Sequence, residues 1–226
     1  MIPQKYAFLF GVAIMFIPWI ICFLLRKDLR KEMIIMSLHV GAGSVITGYI
    51  WWTVDWWRPE TITGTIVGIE DYLLGFVNGG VAAVLYEVVS GEKQKVKKQL
   101  ANLSEILSFF LLTGFILSFL TWLVGMTSFV ASSIAMLMAV ALLVYYRRDL
   151  LKNVLLSGLL MAVVSLPTYF IIESFSPGWV SNTFLYEYLT GVHILKAPLE
   201  DIAFYFLFGM WVGPFYELWK GEVKIE

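Results

Sequence analysis

The sequence is poor in the residues that build disulfides and metal sites. It holds a single cysteine, Cys22, and two histidines in 226 residues. One cysteine excludes an internal disulfide, and neither histidine has cysteine or histidine partners at the spacing of a zinc site. A glycine-rich nucleotide loop is also missing. The sequence therefore predicts neither a metal nor an organic cofactor.

Charged residues are also scarce, and apolar residues are abundant. Charged residues make up 15% of the chain and hydrophobic residues 59%, against about 25% and 45–50% in soluble domains. The apolar runs recur along the whole length, and each approaches the roughly 20 residues that a spanning helix needs. The first run is followed by the charged stretch RKDLRK and has no cleavage site of small residues, so we expect it to be retained as a helix. This composition predicts an integral membrane protein.

The apolar runs predict an all-α fold with seven membrane-spanning helices. Their predicted ranges are 6–25, 33–54, 66–89, 103–123, 127–146, 153–172 and 198–219. Thirteen of the sixteen lysine and arginine residues fall in alternate connectors or at the C-terminus. Because basic connectors stay on the cytoplasmic side of a cell membrane, we expect an external N-terminus and a cytoplasmic C-terminus.

The chain also repeats itself. The stretch LLRKDLRKEM from Leu24 aligns with YYRRDLLKNV from Tyr145 at a shift of 121 residues. Further on, GIEDYLLGFVNGG from Gly68 aligns with PLEDIAFYFLFGM from Pro198 at a shift of 130. Helices 1–3 thus correspond to helices 5–7, and one joining helix makes the two halves parallel repeats. The predicted units are residues 1–91 for the first repeat, 92–125 for the linker and joining helix, and 126–226 for the second repeat.

Each repeat carries two adjacent carboxyl groups at the start of its third helix. They are Glu70 with Asp71, and Glu200 with Asp201. An ionisable group inside a bilayer costs at least ~2.5–3.5 kcal/mol at the helix centre, so it is a functional candidate. Acidic residues in a first turn also stabilise the helix dipole, which makes capping the competing structural interpretation. Duplication in matching places favours function, although an inherited cap would be duplicated too.

Other polar residues have more ordinary interpretations. Asp55 and Arg58 are expected to pair at the membrane boundary, and His39 in helix 2 is either a proton relay or a hydrogen-bonded structural group. Glu87 and Glu217 close helices 3 and 7, and we expect both to be structural.

One stripe of residues continues from the first acidic pair. Asp71 is followed on the same helix face by Gly75, Asn78 and Ala82. Small and polar residues suit close helix contact or the wall of a cavity. Asn78 favours the cavity, since an amide in lipid needs a partner.

The acidic motifs resemble those of a known family. Two acidic dipeptides that each open the third helix of a three-helix repeat, one of them within PLED, are similar to the lycopene cyclase domain of archaeal, actinobacterial and fungal carotenoid pathways, whose motif is Pro-x-Glu-Glu/Asp. The segment WWTVDWWRPETITG is similar to the family's segment between helices 2 and 3. The resemblance covers nearly the whole chain, in a fused two-repeat form. The second motif matches fully, whereas the first has Gly68 where the family has proline, which leaves its activity open.

The resemblance implies a membrane enzyme that cyclises lycopene-type end groups to ionone-type rings by acid and base, without redox change or cofactor. It assigns catalysis to the four carboxyl groups Glu70, Asp71, Glu200 and Asp201, with the second pair leading. Aromatic faces could stabilise the intermediate cation; the candidates are Tyr49, Trp51, Trp52, Tyr72, Phe76, Tyr205 and Phe208. We place the substrate against Asn78, Trp52, Tyr72, Phe76, Tyr205 and Phe208.

Other functions remain open at this point. A carotenoid hydratase or isomerase would use the same protonated intermediate, and a solute transporter could be built from parallel three-helix repeats. A scaffold would use the carboxylates only as caps. A retinal-binding protein is disfavoured, because Lys196 precedes helix 7 instead of lying within it. The expected partners are a polyisoprenoid substrate and membrane lipid, with no nucleic acid.

Overall fold

The computed structural model describes residues 1–91, 94–96, 112–220 and 222–224. Its long helices are α1 (Gln4–Leu25), α2 (Arg30–Thr47), α3 (Ile69–Ser90), α4 (Leu112–Leu123), α5 (Ser128–Tyr146), α6 (Leu151–Phe175) and α7 (Leu199–Val212). The observed bounds lie within about three residues of most predicted ones. The first part of the predicted helix 103–123 and the lysine-rich linker before it lie outside the described residues, apart from 94–96.

Several of these helices are suited to a bilayer. Five of them, counting the helical turns that extend α2 and α6, are long and apolar enough to cross a membrane. Of the other two predicted spans, α4 is described only over Leu112–Leu123, and the seventh is broken into shorter helices. The chain is therefore an all-α membrane protein, and the full count of seven spans stays a prediction.

The seventh predicted helix is not continuous. The sequence suggested one helix over 198–219, but α7 ends at Val212 and a short helix, Phe215–Lys220, follows a turn at Gly213 and Pro214. Proline has no N–H to donate to the preceding turn, and its ring clashes with that turn. The break at Pro214 follows from the sequence.

Short helical segments and two small antiparallel strand pairs complete the described structure. A π-helical turn, Gly48–Trp52, and the short helix Thr53–Asp55 extend α2. The helix Trp179–Thr183 follows α6. Antiparallel pairing joins β1 (Gln94–Val96) to β4 (Glu222–Lys224), and β2 (His193–Ile194) to β3 (Ala197–Pro198).

The connectors 56–68 and 176–198 meet at one end of the bundle, which we call the connector end. The backbone N–H of Arg58 donates to the oxygen of Thr183 at 2.7 Å, and that of Leu185 donates to the oxygen of Trp56 at 2.9 Å. The N-terminus lies at the same end. These bonds hold the two connectors together above the starts of α3 and α7.

Asp55 and Arg58 do not form the expected pair. The carboxyl of Asp55 accepts hydrogen bonds from the backbone N–H and the hydroxyl of Ser128, at the first turn of α5. Arg58 donates to the backbone oxygen of Thr53 at 2.7 Å. Asp55 thus satisfies one of the N–H groups that a helix start leaves free.

The opposite end, which we call the arginine end, carries two matched arginines. Arg26 forms an ion pair with Asp28 at 2.8 Å and donates to the backbone oxygen of Glu87 at 2.5 Å. Arg147 forms the same kind of pair with Asp149, at 2.7 Å. The pair with Asp28 raises the pKa of Arg26 above its ordinary value. Each arginine thus pairs with an aspartate two residues further along the chain.

A buried polar network lies beside these arginines. Arg147 donates to the backbone oxygen of Glu217 at 3.2 Å. Asn153 donates to both carboxyls, at 2.7 and 3.0 Å, and accepts from Ser157 at 2.8 Å. One amide therefore links the two buried carboxyls. The network joins α3, α6 and the last helix.

Candidate active site

Glu70 and Glu200 make the same contact in the two halves. Both side chains are buried, with exposed fractions of 0% and 5%. Glu70 Oε1 accepts from the backbone N–H of Ile62 at 2.6 Å, and Glu200 Oε1 accepts from that of Thr190 at 2.7 Å. In each carboxyl the second oxygen, Oε2, is buried and has no hydrogen-bond partner in the described part of the chain. In each glutamate a connector therefore holds one oxygen, and the other oxygen has no partner among the described residues.

Asp71 and Asp201 are buried too, but their partners differ. Asp71 Oδ2 accepts from the backbone N–H of Gly68 at 2.8 Å, which caps the start of α3. Asp201 Oδ2 accepts from the hydroxyl of Tyr169 on α6. The capping interpretation thus describes Asp71 and does not describe Asp201.

A hydrogen bond connects the two third helices near these carboxyls. Asn78 Nδ2 of α3 donates to the hydroxyl of Tyr205 of α7 at 3.3 Å. Both side chains are buried, and Asn78 Oδ1 has no partner among the described residues. A buried amide with a free acceptor is costly unless another molecule supplies a donor or water enters. Its position suits a polar contact in a binding site.

Aromatic rings cluster beside the second acidic pair. We call this group the aromatic cluster; it comprises Trp52, Trp56, Phe129, Phe204 and Phe208. Phe204 lies at its centre, 5.3 Å from Trp52, 4.9 Å from Trp56 and 5.8 Å from Phe208. Trp52 also donates to the hydroxyl of Ser132 at 3.1 Å. Phe204 follows Asp201 by three residues and therefore lies one helical turn beyond it.

Tyr72 and Phe76 lie apart from this cluster. Phe76 is 5.6 Å from Trp19 and 6.4 Å from Phe16, both on α1, and the ring of Tyr72 packs beside Gly41 on α2. The six predicted substrate contacts therefore fall into two groups, with Tyr72 and Phe76 in one. Trp52, Asn78, Tyr205 and Phe208 gather on the side of α7.

A strained hairpin precedes the second acidic pair. Its turn residues, Leu195 and Lys196, have φ values of 49° and 73°, in the left-handed region that side chains other than glycine disfavour. Beside the hairpin, Tyr186 hydrogen bonds to His193 at 2.7 Å. Burial raises the pKa of Tyr186 to about 12. Strained backbone is often found at functional sites.

A cavity of about 380 Å³ opens at the connector end. Its lining includes Arg58, Glu60, Thr61 and Asn182. These groups suit water or a polar solute better than a hydrocarbon. In the described part of the chain, no group of three or more His, Cys, Asp or Glu is arranged to hold a metal ion.

The structure also places two further polar residues, His39 and Tyr169, in the bundle. His39 lies on the exposed face of α2, and its Nδ1 is 2.7 Å from the backbone oxygen of Ile35. That position favours the structural interpretation over a proton relay. Tyr169 was not a candidate, because periodicity does not reveal which residue of α6 meets Asp201.

The fold and these contacts define a membrane protein with two buried acidic pairs, each beside a set of aromatic residues. The lycopene cyclase family model matches residues 6–89 and 127–219 of the chain. The chain belongs to the lycopene cyclase family. Searches of curated proteins and of solved structures gave no match.

Proposed function

We propose that the protein is a carotenoid cyclase that converts lycopene-type end groups to ionone-type rings by acid and base. The observation that carries the proposal is the pair of buried glutamates, Glu70 and Glu200, each with one oxygen fixed by a connector N–H and the other without a partner. This arrangement offers a carboxyl oxygen to a reacting group in a site that largely excludes water.

We further propose that seven spans form two parallel three-helix repeats. The supporting contacts recur at the shifts seen in the sequence. A side chain added at Gly79 would meet the backbone oxygen of Met36, and one added at Gly209 would meet that of Ser157. Gly79 and Gly209 differ by 130 residues, and Met36 and Ser157 by 121. The matched arginine contacts at the arginine end support the same arrangement.

The proposed orientation places the N-terminus and the connector end outside the cell. The support is the distribution of lysine and arginine, most of which falls in the connectors of the arginine end and in the linker. The acidic pairs then lie near the external face of the bilayer.

In the proposed first step, Glu200 acts as the acid. Because Oε1 accepts an N–H from Thr190, the proton of the neutral carboxyl belongs on Oε2, the oxygen without a partner. This proton is transferred to the terminal carbon–carbon double bond of the substrate. One C–H bond forms, the π bond breaks, and a tertiary carbocation remains.

In the second step, a neighbouring double bond of the substrate attacks the cation and closes the ring. The positive charge moves to a ring carbon, where aromatic faces can stabilise it. We assign that role to the aromatic cluster, with Tyr205 close by. An adjacent carbon then loses a proton to Asp201, and a ring double bond forms. One proton enters and one leaves, so the mass is unchanged.

We assign Asp201 the role of base because its Oδ2 already accepts a hydrogen bond from a hydroxyl donor. Such a donor offsets part of the cost of burying a carboxylate charge. We assign Glu70 and Asp71 a supporting role at the first site, since Asp71 is occupied in capping α3. Asn78, Tyr72 and Phe76 complete the proposed contacts with the substrate.

Expression of the chain in cells that accumulate lycopene tests the proposal. We expect extracted pigments of unchanged mass and a shifted absorption spectrum. A gain of one water per reacting end would identify a hydratase. Unconverted lycopene, with the protein shown to be in the membrane, would contradict the proposal and favour a transporter or another polyisoprenoid substrate.

A further inference from the structure

Of the two aspartates, Asp71 caps its own helix and Asp201 does not. Asp71 and Asp201 occupy the same position, the third residue of their helices. Asp71 accepts from the N–H of the cap residue, Gly68, at 2.8 Å. The cap residue of α7 is Pro198, and proline has no N–H. Asp201 cannot make the bond that Asp71 makes, so its carboxyl is available to another donor.

Tyr169 is that donor. Its side chain is buried on α6, with an exposed fraction of 6%, and its hydroxyl donates to Asp201 Oδ2. Its ring packs 6.3 Å from Phe184 of the connector. The contact with Phe184 and the hydrogen bond to Asp201 both restrict the ring. A donor on a different helix thereby fixes the side chain of a residue on α7.

Within residues 1–91, which the structure describes, Asp71 has no donor that matches Tyr169. The residue that corresponds to Tyr169 at the shift of 121 is Gly48, which has no side chain. It does lie beside Asp71: a side chain added at Gly48 would come within 3.9 Å of Asp71 Oδ1. The two acidic pairs are therefore alike in their glutamates and different in how their aspartates are held.

We infer that Tyr169 is a positioning residue for the reaction, which orients Asp201 and offsets part of the cost of its buried charge, so that the second acidic pair is the productive one. The inference rests on the proposed cyclase function. The hydroxyl stays in place throughout, and no proton leaves it. Pro198 takes part indirectly, because its missing N–H leaves Asp201 to Tyr169.

The test uses Tyr169→Phe, which keeps the ring and removes the donor. Thr168→Val is the matched control: it removes a neighbouring buried hydroxyl whose partner is the sulfur of Met15, at 3.0 Å. With purified protein in lipid vesicles and lycopene as substrate, we expect Tyr169→Phe to lower kcat by about tenfold to a hundredfold, because a loosened catalytic group loses orientation. KM should change little, and Thr168→Val should behave like the wild type.

Infrared spectroscopy gives a readout that a purely structural role would not move. The carboxylate band of Asp201 is the one that Asp201→Asn removes. We expect Tyr169→Phe to shift this band and Thr168→Val to leave it in place. Pro198→Gly, which returns an N–H to the cap, should also shift the band and lower kcat.

The results that would contradict the inference differ from those that would contradict the proposed function. Wild-type turnover retained by Tyr169→Phe overturns the inference alone, and so does a fall in kcat with an unmoved Asp201 band. Folded wild-type protein that leaves lycopene unconverted overturns the proposed function, and the inference with it.

Discussion

Asn78 and Tyr205 join the two third helices through a hydrogen bond of 3.3 Å from Nδ2 to the hydroxyl. Tyr205 follows Asp201 by four residues, so the bond lies about one turn beyond the second acidic pair. The same side chains were expected from the sequence to contact the substrate. The bond fixes the relative height of α3 and α7 where the proposed chemistry takes place.

Replacing Asn78 with leucine should destabilise the fold. The hydroxyl of Tyr205 would be left buried without its partner, at a cost of about 1–3 kcal/mol. Thermal unfolding in detergent measures the effect, and Asn182→Leu on the exposed connector is the control. An unchanged melting temperature for Asn78→Leu would show that the bond adds nothing to stability.

Replacing Asn153 with leucine should be more damaging. Its amide donates to both Glu87 and Glu217, so two buried carboxyls lose a donor at once. We expect a loss of about 3 kcal/mol in the free energy of unfolding. Ser157→Ala, which removes one neutral bond from the same network, should cost about 1 kcal/mol. Equal losses in the two variants would contradict a network centred on Asn153.

The hairpin turn before α7 offers a stabilising change. Leu195→Asn combined with Lys196→Gly places residues that accept positive φ where the backbone requires it. The expected gain is about 1–2 kcal/mol. As a control, Lys31→Gly places a glycine in α2, and we expect it to lower the free energy of unfolding by about 1 kcal/mol. A destabilised hairpin variant would show that the native side chains of the turn make contacts that offset its strain.

The helix positions were predictable because a spanning helix needs a long apolar run. The run from residue 6 to 25 and the helix Gln4–Leu25 agree closely for this reason. Pro214 indicates the break in the seventh helix, but a count of apolar residues does not detect a proline. The π-helical turn at Gly48–Trp52 has no comparable signal in the composition.

The candidate site was predictable in part. Adjacent carboxyls in an apolar setting made Glu70 and Glu200 candidates, since ionisable groups in a bilayer are rare, and the structure buries both side chains. The partner of Asp201 was not predictable, because the contact joins α6 and α7 and depends on their rotation. The repeat did not indicate this contact either, because the residue equivalent to Tyr169 in the first repeat is Gly48. Asp55 was misassigned for a similar reason, since its partner Ser128 is distant in sequence.

Replacing Glu200 with glutamine should remove the proposed acid. We expect product formation to fall by about 10²–10⁴-fold, the usual contribution of general acid catalysis, with normal insertion in the membrane. Glu70→Gln should reduce it less, because we assign the first pair a supporting role. Pigment analysis in lycopene-accumulating cells measures both. Unchanged turnover in the two single variants and in the double variant would contradict the assignment of the acid.

The most direct test of acid-initiated cyclisation is the reaction in heavy water. Purified protein in lipid vesicles is equilibrated with D₂O, lycopene is added, and the products are analysed by mass spectrometry. A carboxyl acid exchanges its proton with solvent and delivers deuterium to the substrate, while a substrate hydrogen is lost to the base. We expect each ring formed to carry one deuterium. A cyclised product without deuterium would contradict protonation by a carboxyl group that exchanges with solvent, and with it the central claim.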